Sequence, residues 1–280
     1  MVQLFPEAVK RSRFSIRPGN GILPQGFADY LNVPWKRSEN AIQFFKKELE
    51  RVSKHLEAFA GRKMSPDDLN HAIIHFNKHR SLLKKIYDLR KAESPPVSGL
   101  DAFYVTMSGF ILPKERHMRL MEQCLAEIEA APAVNGHRVR LLISGGCVID
   151  ADLWKLIESC GALIVADDVN NGARSIWPNV AEGGDPLDAL ARAYIQRPCG
   201  FNSLISTRFA FIKERIVTHR VQGVIFAINK HCESEAFDYP QLEKKIREEL
   251  KVATLLVETD YLNQTEPLRT RIEAFVEMLG

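Results

Sequence analysis

Cys232 closes a run, Val221-Gln-Gly-Val-Ile-Phe-Ala-Ile-Asn-Lys-His-Cys232, that is apolar for most of its length and turns polar at Asn229. Such a run reads as a buried strand. In open α/β sheets ligands gather outside the carboxyl ends of the strands, so this thiol stands where chemistry is usually done. Ser144-Gly145-Gly146-Cys147 has a similar setting, between an apolar run and a helix start. Gly145 and Gly146 can let backbone amides approach an anionic group there, although a tight strand-to-helix turn explains the same residues. Asp167-Asp168-Val-Asn-Asn-Gly172-Ala-Arg174 ends the next apolar run. Two adjacent carboxylates after a strand cannot both point into the sheet, so one reaches the crevice or caps the following segment. Arg174 can then bind a phosphate or carboxylate bidentately, or pair with Asp168 to hold the loop.

The remaining thiols and imidazoles say less. Cys147 itself reads most simply as a buried small hydrophobe, and Cys124 and Cys160 as core residues of helices. Cys199, between Arg197-Pro198 and Gly200, is either exposed and reactive or a ligand. No HExxH or close carboxylate–histidine set occurs among the eight histidines, which disfavours a mononuclear zinc site. His71, His75 and His79 recur on one helix face, and a solvated stripe accounts for them more simply than metal binding does.

Regular elements must position these groups. Pro6, Pro18, Gly19, Gly21, Pro24, Gly26 and Pro34 make residues 1–35 an irregular connector. From Ser38, the spacing of Ile42, Phe45, Leu49, Val52, Leu56 and Phe59 predicts a helix ended by Gly61. Ser65-Pro66-Asp67-Asp68 starts a second, with Leu69, Ile73, Phe76, Leu83, Ile86 and Leu89 inward, so that 38–91 forms a helical hairpin. A mixed stretch follows Ser94-Pro-Pro-Val-Ser-Gly99, then a helix over about 114–130. Beyond Gly136 the chain alternates: strands at 139–144, 162–167, 223–228 and 253–258, helices at 152–159, 186–195, 207–220, 240–250 and 268–279. That alternation implies an α/β lobe over 137–280 with a parallel sheet covered on both faces, preceded by a connector and helical region over 1–136.

Composition sets the class. A chain of 280 residues with 45% hydrophobic residues and a formal charge of +3 has room for a proper core and no signature of a nucleic-acid or membrane partner. No apolar run approaches the roughly 18 residues that span a bilayer. Five cysteines without a disulfide framework or signal peptide point to a reducing compartment, hence the cytoplasm.

Several segments together resemble the 2-hydroxyacyl-CoA dehydratase and benzoyl-CoA reductase family: Asp29-Tyr-Leu-Asn-Val-Pro34, Ser94–Gly99, Ser144-Gly-Gly146, Asp167-Asp168 with Gly172 and Arg174, Gly183–Leu190, Arg197-Pro-Cys199, Lys230-His-Cys232, Glu258-Thr-Asp260 and Arg269–Phe275. The resemblance implies flavodoxin-like lobes, a heterodimer with a second family subunit, and a separate ATP-dependent activator. It also implies a [4Fe-4S] cluster and one-electron, ketyl-forming chemistry on a CoA thioester. Cys232 is the residue that matches a family cluster ligand. The family's first α/β lobe, which carries further cysteines, is nearly absent, and Leu4–Arg13, resembling the end of that lobe, contains none. One thiolate cannot hold a cluster. The chain therefore reads as a subunit, or the C-terminal portion of one, or as a cluster-free structural or CoA-binding partner subunit.

Overall fold

A computed structural model describes residues 29–130, 132, 134, 138–199, 204–260 and 266–280. Most of the irregular connector, with Phe5, Phe14, Ile22, Leu23 and Phe27, lies outside the described residues, as does Gly136.

Two long helices open the described chain. In α1 (Glu39–Ala60) Ser38 caps the start by accepting from the Ala41 amide, and Gly61 ends it at φ 64°, a left-handed position that favours glycine. In α2 (Pro66–Leu89) the Ser65 hydroxyl and the Asp68 carboxylate satisfy each other's backbone amides, a capping box with proline at the first turn. The helices do not pair along their length as a hairpin. The buried part of α1, Ala41, Ile42 and Phe45, packs on Ala191 and Ile195. Its last turns leave Leu56 and Phe59 exposed, and α2 likewise exposes Phe76, so the periodic stripe is longer than the surface that covers it.

The expected mixed stretch is a helix, α3 (Gly99–Ile111), capped by Ser98. It is buried on most sides, with Ala102, Phe103, Val105, Thr106, Ser108 and Gly109 all inside, so it lacks the polar face that reveals a surface helix. At its start the Gly99 amide donates to Glu158 Oε1 at 2.8 Å. A Cβ at Gly99 would lie 2.5 Å from Ile164 Cβ, so glycine allows the helix end to meet the sheet. α4 (Lys114–Glu129) completes this region, whose core joins Leu82, Leu83 and Ile86 to Val105, Met121 and Cys124.

The lobe that follows contains β1 (Val139–Gly145), α5 (Ala151–Ser159), β2 (Ala162–Asp168), a 3-10 turn (Ala173–Ile176), α6 (Pro186–Ile195), α7 (Ile205–Thr218), β3 (Gly223–Asn229), α8 (Glu233–Lys245), β4 (Ala253–Thr259) and α9 (Glu266–Leu279). All three strand pairings are parallel, in the order β2-β1-β3-β4. Ser144 is registered with Asp168 and Phe226, and Ile228 with Glu258, so the carboxyl ends share one edge. The sheet is covered on both faces: one core joins Leu141, Ile143, Ile225 and Val257 to Trp154 and Phe275, the other joins Leu142, Val165 and Phe226 to Ile212 and Leu242. This is the expected flavodoxin-like α/β arrangement. One boundary differs substantially, because α8 begins at Glu233 and not near Pro240, which lies inside the helix. Proline is common at a helix start, and that preference misplaces the boundary here.

Candidate functional site

Strand order reverses between β1 and β3: from β1 the chain continues to β2 on one side, and from β3 to β4 on the other. Such a switch point leaves a crevice between the loops that leave the two central strands. Those loops carry Gly145-Gly146-Cys147 and Asn229-Lys230-His231-Cys232.

The two loops approach closely. Gly145 is registered with Ala227, and a Cβ on it would lie 2.2 Å from the Ala227 carbonyl oxygen, so no side chain fits without moving backbone. A Cβ on Gly146 would lie 3.8 Å from Cys232 Sγ and 3.4 Å from Glu235 Cγ. Gly145 thus serves the close approach of β1 to β3, and at Gly146 there is room for a methyl in ordinary contact with the thiol and Glu235. Cys232 is half-buried at the start of α8, its amide donating to Asn229 O at 3.0 Å. The turn passes through His231 at φ 67°, a left-handed position uncommon for residues other than glycine. Cys147 is exposed, contrary to its reading as a buried hydrophobe, because the β1 loop leaves the sheet before reaching it. Its carbonyl accepts from Asn229 Nδ2 at 3.3 Å, and the Asn229 Oδ1 accepts from Thr259 Oγ1 at 2.6 Å. A cavity of about 250 Å³ at this edge is lined by Cys147, Val148, Asp150, Asn229, Thr259 and Asp260 among others.

Beneath the lip lies a buried ion-pair network. Arg174 donates from Nε to Asp168 Oδ1 at 2.6 Å and from Nη2 to Asp168 Oδ2 at 2.7 Å, and from Nη1 to Asn170 Oδ1 and Glu235 Oε1. Arg208, on α7, donates to Asp168 Oδ2 at 3.1 Å, to Glu235 Oε2, and to Asp238 Oδ2 at 3.0 Å. The Ser144 hydroxyl donates to Asp168 Oδ2 at 2.8 Å. Burial pushes the Asp168 carboxyl up, but the Arg174 and Arg208 charges and these hydrogen bonds outweigh it and hold the group below its ordinary range. Burial opposes the charge on Arg174, and the carboxylates beside it more than compensate, so its pKa is raised. Arg174 and Asp168 are therefore engaged with each other, in the loop-holding arrangement that the sequence left open beside a binding role. Asp167 turns the other way. Its Oδ1 accepts from the Ala173 amide at 2.7 Å, capping the 3-10 turn, and its Oδ2 from Arg90 at 3.4 Å.

Sequence reasoning missed Arg208, Glu235 and Asp238. Arg208 had a signal: it lies on the face of α7 that buries Ile212, Arg215 and Ile216, and an arginine within an apolar stripe needs a buried partner. The histidines of α2 do not form a solvated stripe either. His71 is exposed and His75 is near Glu115, whereas His79 is buried with its Nε2 at 2.8 Å from His117 Nδ1. Cys124 is buried as expected, and Cys160 and Cys199 are half-buried.

The profile of the family described as 2-hydroxyglutaryl-CoA dehydratase, D-component, matches residues 27–279. The chain belongs to this family. Among similar proteins, the β subunit of (R)-phenyllactyl-CoA dehydratase of Clostridium sporogenes is 28% identical over 252 residues, covering 89% of this chain and 67% of that protein. One of the benzoyl-CoA reductase subunits of Thauera aromatica is 25% identical, covering 92% and 69%, and the β subunit of lactoyl-CoA dehydratase of Anaerotignum propionicum is 27% identical, covering 86% and 65%. The chain thus spans about two thirds of the length of the curated relatives it matches. All three relatives are named as subunits.

An iron–sulfur cluster needs several protein thiolates, three for the cubane the resemblance implies, and cannot be assembled from one. Among the described residues, no group of three or more His, Cys, Asp or Glu side chains is placed to hold a metal ion. The crevice offers the half-buried Cys232 beside Gly146, which is one ligand position and not a set. These residues alone do not fit a cluster. No described helix is long and apolar enough to cross a membrane.

Proposed function

We propose that this chain is a subunit, or the C-terminal portion of one, of a 2-hydroxyacyl-CoA dehydratase or benzoyl-CoA reductase-like enzyme of the cytoplasm. In the assembled complex it works with a second family subunit and a separate ATP-dependent activator, by one-electron chemistry that forms a ketyl from a CoA thioester. The observation that carries this reading is the family match across residues 27–279, which includes Cys232 at the switch-point crevice. Cys232 contributes one thiolate to a [4Fe-4S] cluster whose other ligands come from the remainder of the assembly, since all five cysteines of this chain are among the described residues and form no ligand group there. Gly145 and Gly146 form the cofactor-facing lip, and Asp168 with Arg174 forms the rigid wall behind it. On this reading the working lobe is 137–280, and the connector and helical region, 1–136, faces the remainder of the assembly. Trp35 and Leu31, both exposed, belong to that face.

A second reading rests on the lack of a ligand group among the described residues: a cluster-free structural or CoA-binding subunit whose partner holds the metal. Anaerobic co-purification with the second subunit and activator, followed by turnover of a 2-hydroxyacyl-CoA and of benzoyl-CoA, separates the two. Turnover that disappears with Cys232→Ser supports the first. An active complex indifferent to that substitution supports the second, and failure to bind any family subunit removes both.

A further inference from the structure

A second cavity, of about 260 Å³, lies where α2, α3 and the first turn of α4 meet the 3-10 turn and the end of α6. It shares no lining residue with the crevice at Cys147. Phe76, Leu83, Phe110 and Ile176 supply apolar wall, and three cations line the same space: Arg80, Lys114 and Arg197.

None of the three is paired with a carboxylate among the described residues. Arg80 is more than nine-tenths buried and donates from Nη1 to the neutral Asn77 Oδ1 at 2.8 Å. Asn77 is itself fixed by the Val180 backbone, with Nδ2 to Val180 O at 2.7 Å and the Val180 amide to Oδ1 at 3.0 Å, so Arg80 is aimed by a rigid group. Arg197 lies over the Tyr194 ring at 4.6 Å, and its Nε is buried without a hydrogen-bond partner. Lys114 donates to the Gly109 carbonyl and lies 5.7 Å from the Phe76 ring and 5.9 Å from the Phe110 ring. Burial disfavours the charge on all three; the Tyr194 hydroxyl, bonded to Arg80, offsets part of this at Arg80 and Arg197, and Arg80 further opposes the charge on Lys114. His79, also on the wall, adds no charge at neutral pH, because burial holds it at about 3.

Like charges gathered in a partly desolvated space repel one another, and an unpartnered buried guanidinium N–H is costly. One anion removes both penalties. We propose that this cavity binds a small oxyanion, a carboxylate or a phosphate, held by Arg80, Arg197 and Lys114. The two guanidinium groups offer planar N–H forks suited to such oxygens, and Lys114 adds a point charge. The aromatic and aliphatic wall suits a short hydrocarbon portion attached to the anionic group.

The test is calorimetric titration of the full chain with sodium phosphate and, separately, with sodium benzoate, at an ionic strength held constant with chloride. Saturable binding of at least one probe, at one site per chain, is expected. Binding of phosphate alone makes the ligand a phosphate, and binding of benzoate alone makes it a carboxylate. Arg197→Gln and Lys114→Gln should each weaken the binding about tenfold, the scale of one charge-assisted contact, with an unchanged circular dichroism spectrum. Lys114→Arg, which keeps the charge, should retain binding and guards against a folding defect in the glutamine variants. Absence of saturable binding by either probe, or unchanged affinity in both glutamine variants, would overturn the proposal.

Discussion

Beneath the crevice, Arg174 and Arg208 meet Asp168 and Glu235, all four nearly without solvent exposure, whereas around the helical cavity Arg80, Lys114 and Arg197 meet neutral oxygens and aromatic rings. Two cations matched by Asp168 and Glu235, with the less buried Asp238 also on Arg208, make a charge-compensated strut that ties α7, α8 and the β2 loop to the sheet edge. Burying such charges costs several kcal/mol per ion, which only close, hydrogen-bonded partners offset. Its consequence is rigidity under Cys232. Three cations without a counter-charge instead leave an electrostatic demand that a small anion meets.

The comparison breaks most directly at its arginines. Arg208→Met leaves Asp168, Glu235 and Asp238 short of a partner and should destabilise the chain by about 3–5 kcal/mol. Arg197→Gln removes no ion pair and should cost less than about 1 kcal/mol in chloride buffer. Urea denaturation of both variants reads the difference, and equal losses would contradict the division between matched and unmatched charge.

Acid should sharpen the contrast. Burial lowers His79 to about 3 and His117 to about 4; at His117 the Val105 carbonyl opposes the shift and the Lys114 charge adds to it. Both folded values lie below the ordinary 6.5, so the unfolded chain binds more protons as pH falls. Their contribution is complete above 6.5 and is lost on descending toward 4, by up to about 1.4 kcal/mol per group per pH unit. Asp168, also lowered, keeps its contribution until pH falls into the ordinary carboxylate range near 3.8. Burial also lowers His219, at the end of α7, to about 3. Hydrogen exchange at pH 7 and pH 5 should therefore show α2 to α4 and the end of α7 losing protection before the Asp168 edge of the sheet does. Unchanged protection of α2 to α4 between the two pH values would be inconsistent with neutral buried imidazoles in the helical core.

Smaller effects probe the crevice lip. Gly145→Ala drives a methyl to within 2.2 Å of the Ala227 carbonyl, and the β1–β3 separation must widen, at about 1–3 kcal/mol in thermal unfolding. Gly146→Ala meets only the Glu235 side chain and Cys232 Sγ at ordinary contact distances. It should cost under about 1 kcal/mol of stability while reducing the labelling rate of Cys232 by a bulky thiol reagent. A destabilisation equal to that of Gly145→Ala would show that both glycines serve packing alone.

Local chemistry made much of the fold legible. Ser38, Gly61 and the Ser65-Pro66 start mark the ends of α1 and α2 because caps are short-range, and the four strands announce themselves as β-branched apolar runs. α3 was hidden because burial on most sides erases the 3.6-residue contrast, and α8 was shortened by a proline that its interior tolerates. Cys232 and the glycine pair were legible from their place after strands. Arg208, Glu235 and the cationic cavity were not, since Arg80, Lys114 and Arg197 come from three elements that only tertiary packing joins.

The proposed role of Cys232 as a cluster thiolate in the assembled complex is tested most directly by iron and sulfide content and visible absorbance of the anaerobically purified complex, with and without Cys232→Ser. Serine keeps the size and removes thiolate ligation, so the variant should assemble to the same mass by light scattering and lose the iron and absorbance bound at this crevice. Unchanged iron, sulfide and absorbance in an intact Cys232→Ser complex would contradict the account.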